Sequence, residues 1–189
     1  MTGPLLNSER LIVVVGPSGA GKDSVLQTWL RKLPPGTGPA PVRRVITRAP
    51  DPQGEGHESI DPAHFIDLRA SDTLAFWWEA HGLHYGVRHT SLAPLGQGRW
   101  VVLNGSRAHL PQLRRRAPGA RVVEVTAPPE LLAARLAARR REDATAVAAR
   151  LAREVPVSGA ALVVSNTGDV AAAAALLDRW WQGLRREGD

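Results

Sequence analysis

The chain has 189 residues, 43% of them hydrophobic and 22% charged, and no cysteine. That length suffices for one domain with a buried core, and the missing thiols exclude a disulfide scaffold, a Cys-ligated zinc site and a thiol nucleophile. The net charge is +6, and of the 24 Lys and Arg residues only Lys22 and Lys32 are lysines; arginine forks match phosphate oxygens in pairs, although a biased base composition would also produce them.

The first ten residues lack a basic stretch followed by an apolar one, and no apolar run approaches the roughly 20 residues of a membrane span. A cytoplasmic protein with no membrane partner is expected. Leu11–Val15 is β-branched and continuous, as in a strand buried on both faces of a parallel sheet. A glycine-rich loop follows, then a helical pattern over Lys22–Leu33. Pro34–Pro41 reads as a turn-rich connector, and Arg43–Ile46 as the second strand.

From Ala49 to Gly98 the pattern breaks into Pro-, Gly- and His-rich segments, as expected of an insert beside the sheet. Strand patterns resume at Trp100–Leu103, Arg121–Val125 and Ala161–Ser165. Between and after them lie a short basic helix at Pro111–Arg116, a long Ala-rich one at Pro129–Arg153 and a closing one at Val170–Arg186. This alternation predicts an α/β fold with a five-stranded, doubly wound parallel sheet, in one domain over residues 1–189. The Trp77–Trp78 and Trp180–Trp181 pairs are expected to pack, and Arg114-Arg115-Arg116 to face solvent.

The segment carrying most chemistry is Gly16-Pro17-Ser18-Gly19-Ala20-Gly21-Lys22-Asp23-Ser24. It has phosphate-loop spacing between a strand and a helix. Glycines tolerate positive φ, so successive N–H groups can line one concavity, and the helix N-terminus adds partial positive charge. Lys22 is then expected on the β- and γ-phosphates of ATP. Asp23 stands where Ser or Thr usually holds Mg²⁺. Its carboxylate suits that hard cation, with Ser24 as fallback, but an acid there also favours the helix dipole. The six histidines lack the i, i+4 pairing with an acid that a zinc hydrolase shows.

The loop, with Ile46-Thr47-Arg48, Tyr85-Gly86 and Arg135-Leu136-x-x-Arg139, resembles the guanylate-kinase fold of nucleoside monophosphate kinases. Gly-Lys-Asp-Ser, Gly-Leu-His-Tyr-Gly-Val and Asn104-Gly-Ser-Arg-Ala-His-Leu-Pro111 are more closely similar to the ribose 1,5-bisphosphate phosphokinase family of phosphonate catabolism. The resemblance spans about Leu11 to Leu177. It implies a P-loop kinase using ATP and Mg²⁺, with an acceptor-binding insert at about 46–98 and a lid at about 137–145. Arg135 and Arg139, joined by Arg150 or Arg153, would offset charge on the triphosphate, whereas a solvated helix face is the plainer account of such arginines. Arg48, Tyr85, Asn104 and Arg107 would bind the acceptor, a phosphorylated sugar; for Arg107 an exposed turn is the alternative.

Guanylate kinases read guanine with two acids, whose positions here hold Phe76 and Asn104, and their second phosphate arginine is Asp51. A site deprived of such hydrogen-bonding groups discriminates poorly for the base. The other readings are a guanylate or other nucleoside monophosphate kinase, or a guanylate-kinase-like binding module without catalysis. Nucleic acid is not an expected partner, since no stacking aromatics interleave with the basic residues. Asn166 is a candidate adenine contact.

Overall fold

The computed structural model describes residues 6–49, 56–80, 82–138 and 157–187. Its main sheet is parallel and five-stranded, in the order β2-β7-β1-β8-β9. The strands are β1 (Leu11–Val15), β2 (Ala40–Pro41), β7 (Val101–Asn104), β8 (Arg121–Thr126) and β9 (Leu162–Ser165). Every residue of β1, the central strand, is buried, as its unbroken run of Leu, Ile and Val requires.

One of the five strands is not the one its pattern suggested. Arg44–Ile46 (β3) lies in a second sheet, and its place in the parallel sheet is taken by Ala40–Pro41, within the expected connector. Two residues carry no periodicity, and Pro41 lacks an N–H, which suits only a sheet edge. Flanking bonds hold the edge, from Ala40 N to Trp100 O at 2.8 Å and from Val42 N to Val102 O at 2.9 Å.

By its contacts the chain divides into two units, with β1 and β7 each contributing to both. One comprises Met1–Ile12, Pro39–Leu103 and His109–Ala120; the other comprises Val13–Gly38, Asn104–Ala108 and Arg121–Asp189.

The first unit contains the second sheet, in the order β4-β3-β6-β5, with β4 (Glu58–Ser59), β5 (Leu74–Ala80) and β6 (Leu83–Arg88). β3 and β5 flank β6 antiparallel, whereas β4 joins β3 in parallel. A two-residue strand needs further support, and a bidentate ion pair supplies it. Arg88 Nε donates to Glu58 Oε2 at 3.0 Å and Nη2 to Oε1 at 2.6 Å, bridging β6 to β4 across β3. Helix α2 (Pro62–Ala70) starts with Pro at its first position, and the Asp61 side chain caps it by accepting from His64 N. Its buried Phe65 and Leu68 pack on Val45 and Leu74. After short turns around α3 (Ala93–Gly96), α4 (Leu110–Arg116) follows β7.

The basic triplet at the end of α4 does not face solvent throughout. Arg116 is only 8% exposed, with its guanidinium bonded to Ala75 O and set 5.7 Å from the centroid of the Phe76 ring. Its long stem follows Leu110 and Leu113 on the buried helix face, so periodicity outweighs charge here.

In the second unit α1 (Lys22–Lys32) packs on α6 (Val170–Glu187). Trp29 and Trp181 meet edge to face with centroids 5.9 Å apart, and Trp29 Nε1 donates to Asp178 Oδ1 at 3.2 Å. The expected long helix is described as α5 (Pro129–Ala138).

Candidate phosphate-binding site

The loop between β1 and α1 is shaped by two glycines for which no other residue would serve. Gly16 has φ +150°, and a Cβ there would run into the carbonyl of Val125. Gly21 has φ +82° at the N-cap of α1, and a Cβ would come within 2.5 Å of Asn166 Nδ2. Pro17, Gly19 and Ala20 are buried, Ser18 is half-buried, and Ala20 N closes a turn on Pro17 O at 3.3 Å. The phosphate-loop spacing thus becomes a tight turn opening directly into a helix.

Three cationic or amide side chains converge on its carbonyls. Lys22 Nζ donates to Gly16 O at 3.0 Å and to Pro17 O at 3.1 Å, which holds the ammonium against the loop rather than in solvent. Arg135, on α5, donates from Nη1 to Gly19 O at 3.1 Å. Asn166, just beyond β9 and 1% exposed, donates from Nδ2 to Ala20 O at 2.8 Å, while its Oδ1 accepts from Gly168 N at 3.4 Å. Asn166, the candidate adenine contact, has this further role at the loop. Its amide buttresses the loop backbone. The available signal was a polar residue directly after a strand of the parallel sheet, at the strand end where α/β sheets gather ligand-binding groups.

Asp23 is half-buried in the first turn of α1, and its carboxylate accepts a hydrogen bond from Asn104 Nδ2 at the end of β7. Ser24, the fallback metal ligand, is exposed. Gly105 N, bonded to Val14 O at 2.8 Å, sets the position of this strand end. Arg107 follows half-buried, opening a 3-10 turn over Arg107–His109. Arg139 and Arg150, with most of the expected lid, lie outside the described residues.

The other expected acceptor residues belong to the first unit. Arg48 is half-buried two residues beyond β3. The strand pairing extends to its neighbour Thr47, which donates from N to His84 O at 3.0 Å and accepts from His84 N at Oγ1, at 2.9 Å. The start of that loop is therefore pinned to β6. Tyr85 is 8% exposed and stacks on Trp78, 5.4 Å between centroids and 5° between planes; His109 stacks on Trp78 at 5.0 Å. Phe76 is fully buried and meets His109 edge to face at 5.9 Å. Burial pushes the His109 imidazole down to about 4, against a smaller upward pull from Gln112, so the ring stays neutral at physiological pH.

No protein-family model matches the chain. Among curated proteins, it is 51% identical over 173 residues to the ribose 1,5-bisphosphate phosphokinase PhnN of Acidiphilium cryptum, covering 90% of this chain and 91% of that one. It is 42% identical to the protein of the same name from Chromobacterium violaceum, over 92% and 94% of the two chains. Among solved structures, guanylate kinase from Anaplasma phagocytophilum superimposes with a TM-score of 0.67 over 97% of this chain and 88% of that one, at 19% identity. The last likeness establishes the fold; the first two, nearly full-length in both partners, place the chain in the family of PhnN ribose 1,5-bisphosphate phosphokinases.

Proposed function

We propose that the protein transfers the γ-phosphoryl group of ATP to ribose 1,5-bisphosphate, giving ADP and 5-phosphoribosyl 1-diphosphate. The observation that carries this reading is family membership over nine-tenths of the chain. In the reaction an oxygen of the C1 phosphate attacks Pγ, and the bond from Pγ to the bridging oxygen of ADP breaks. That oxygen is already anionic at neutral pH, so the protein must align it and offset charge rather than remove a proton.

The loop geometry suits those tasks. Lys22 is assigned to the β- and γ-phosphates, with loop N–H groups and the start of α1 around them. Arg135, already at the loop, adds a second positive charge for the transferring group, and Arg139 and Arg150 are assigned the same task. Mg²⁺, when bound, would offset the negative charge of the phosphates. Asp23 is the group assigned to hold it. Arg48 and Arg107 are assigned to acceptor phosphates, and Tyr85 to the acceptor's surroundings.

A guanylate kinase is the rival reading, and the interior of the first unit disfavours it. Phe76 is fully buried between His109 and the Arg116 guanidinium, leaving an aromatic ring where the resemblance places a guanine-reading acid. Phosphorus NMR of protein incubated with ATP, Mg²⁺ and ribose 1,5-bisphosphate tests the proposal. A coupled diphosphate pair on C1, appearing together with ADP, is expected; ADP without that pair would contradict it.

A further inference from the structure

Asp23 and Asn104 carry a pairing that no loop motif announces. Asp23 directly follows the loop lysine and Asn104 ends β7, yet the Asn104 amide donates to the Asp23 carboxylate. An ionised carboxylate only accepts hydrogen bonds, so the amide nitrogen must face it. That orientation leaves Asn104 Oδ1 directed elsewhere, buried and with no hydrogen-bond partner among the described residues. A buried acceptor without a donor is destabilising, and it calls for a ligand.

In phosphate-loop enzymes generally, a hydroxyl after the loop lysine and a carboxylate on a neighbouring strand together hold Mg²⁺. Here the carboxylate stands after the lysine and a neutral side chain ends the strand. We infer that the two positions have exchanged chemistry: Asp23 supplies the one negative charge of the metal site, and Asn104 is the positioning residue that fixes the Asp23 carboxylate while offering Oδ1 to the cation's hydration shell. The donor set fits a hard divalent cation, which takes one or two carboxylates, neutral oxygens and water. Among the described residues no three His, Cys, Asp or Glu side chains gather into a metal cluster.

The inference rests on the kinase reading, and its test separates the two. Mn²⁺ replaces Mg²⁺ as probe, and its binding to the full-length protein is followed by electron paramagnetic resonance with and without ADP. Binding of ADP alone is measured in parallel by calorimetry. Asn104→Ala should weaken Mn²⁺ binding in the ADP complex roughly 10–100-fold, the range for loss of a group that orients a metal ligand. Metal-free ADP binding should stay unchanged, which a merely structural fault would not allow. The exchanged variant, Asp23→Thr with Asn104→Asp, should recover most of the Mn²⁺ affinity, and it carries the test if Asn104→Ala does not fold. Unchanged Mn²⁺ affinity in Asn104→Ala, or no recovery in the exchanged variant, would overturn the inference alone. Wild-type protein showing no ADP-dependent Mn²⁺ uptake would overturn the kinase reading, and the inference with it.

Discussion

In the phosphate-loop unit, polar side chains act on main chain. Lys22, Arg135 and Asn166 all donate to carbonyls of residues 16–20, and the path of those residues depends on Gly16 and Gly21. In the four-stranded sheet, side chains act on one another. Tyr85, Trp78 and His109 stack in series, Phe76 meets His109 on its edge, and Arg88 grips Glu58. A site built on backbone groups fails through a few irreplaceable positions, because a carbonyl or N–H cannot be repacked. A region built on packed rings is expected to tolerate changes of similar volume and to govern which acceptor fits.

The largest effect expected from this contrast is at Lys22. Its replacement by Ala should lower kcat by at least about 10²–10³-fold, the scale for removing one preorganised donor from developing charge. Tm should move little, since Lys22 is half-buried and its ammonium donates to carbonyls of its own loop. Circular dichroism and steady-state assays check both, and near-normal kcat would remove the loop from the reaction.

Arg48→Ala should act on the acceptor side alone. A charge-assisted hydrogen bond of about 1.5–3 kcal/mol corresponds to roughly 10–150-fold in KM for the sugar bisphosphate. KM for ATP should stay constant. An equal rise in both constants would show that the two regions do not divide their tasks in this way.

Asn166→Ala sharpens the comparison within the loop unit. It strips Ala20 O of a buried donor, so stability should fall by about 1–3 kcal/mol, several degrees in Tm. ATP affinity should fall with it. Loss of ATP affinity without loss of stability would instead favour a direct nucleotide contact.

The smallest effect concerns pH and the ring stack. The imidazole of His109 is held at about 4, below its ordinary value near 6.5. As pH falls through 6.5 the unfolded chain takes up a proton that the folded chain refuses, so stability declines until about pH 4 and then levels off. Between about pH 7 and 5 this amounts to roughly 1–2 kcal/mol. His109→Leu should flatten that part of a denaturation-against-pH series, and an unchanged slope would assign it to other groups.

The two regions also differ in how far they could be read from sequence. The phosphate loop was legible because its glycines answer to backbone sterics that act at fixed spacing, whatever the surroundings. The apolar strands at Leu11 and Trp100 were legible for a similar reason: burial on both faces leaves one continuous signature, whereas the strand at Ala161 is a sheet edge with Val163 exposed. The edge strand at Ala40–Pro41 and the placement of β3 were not, because strands of two or three residues take their identity from the partner they meet. The buried state of Arg116 and the buttress at Asn166 are tertiary outcomes. Each depends on groups far away in sequence, Ala75 O and Ala20 O, which no local pattern records. The Asp23–Asn104 pair was half legible, since both residues stood out but their hydrogen bond joins positions 81 residues apart.

Acceptor competition tests the central claim most directly. With saturating ATP and Mg²⁺, kcat/KM is measured for ribose 1,5-bisphosphate and for GMP on the unmodified protein. The buried Phe76 and the family to which the chain belongs predict a large preference for the sugar bisphosphate. A guanine edge left without hydrogen-bonding partners in the site loses about 1–3 kcal/mol for each unpaired group. A kcat/KM for GMP equal to or above that for ribose 1,5-bisphosphate would contradict the substrate assignment.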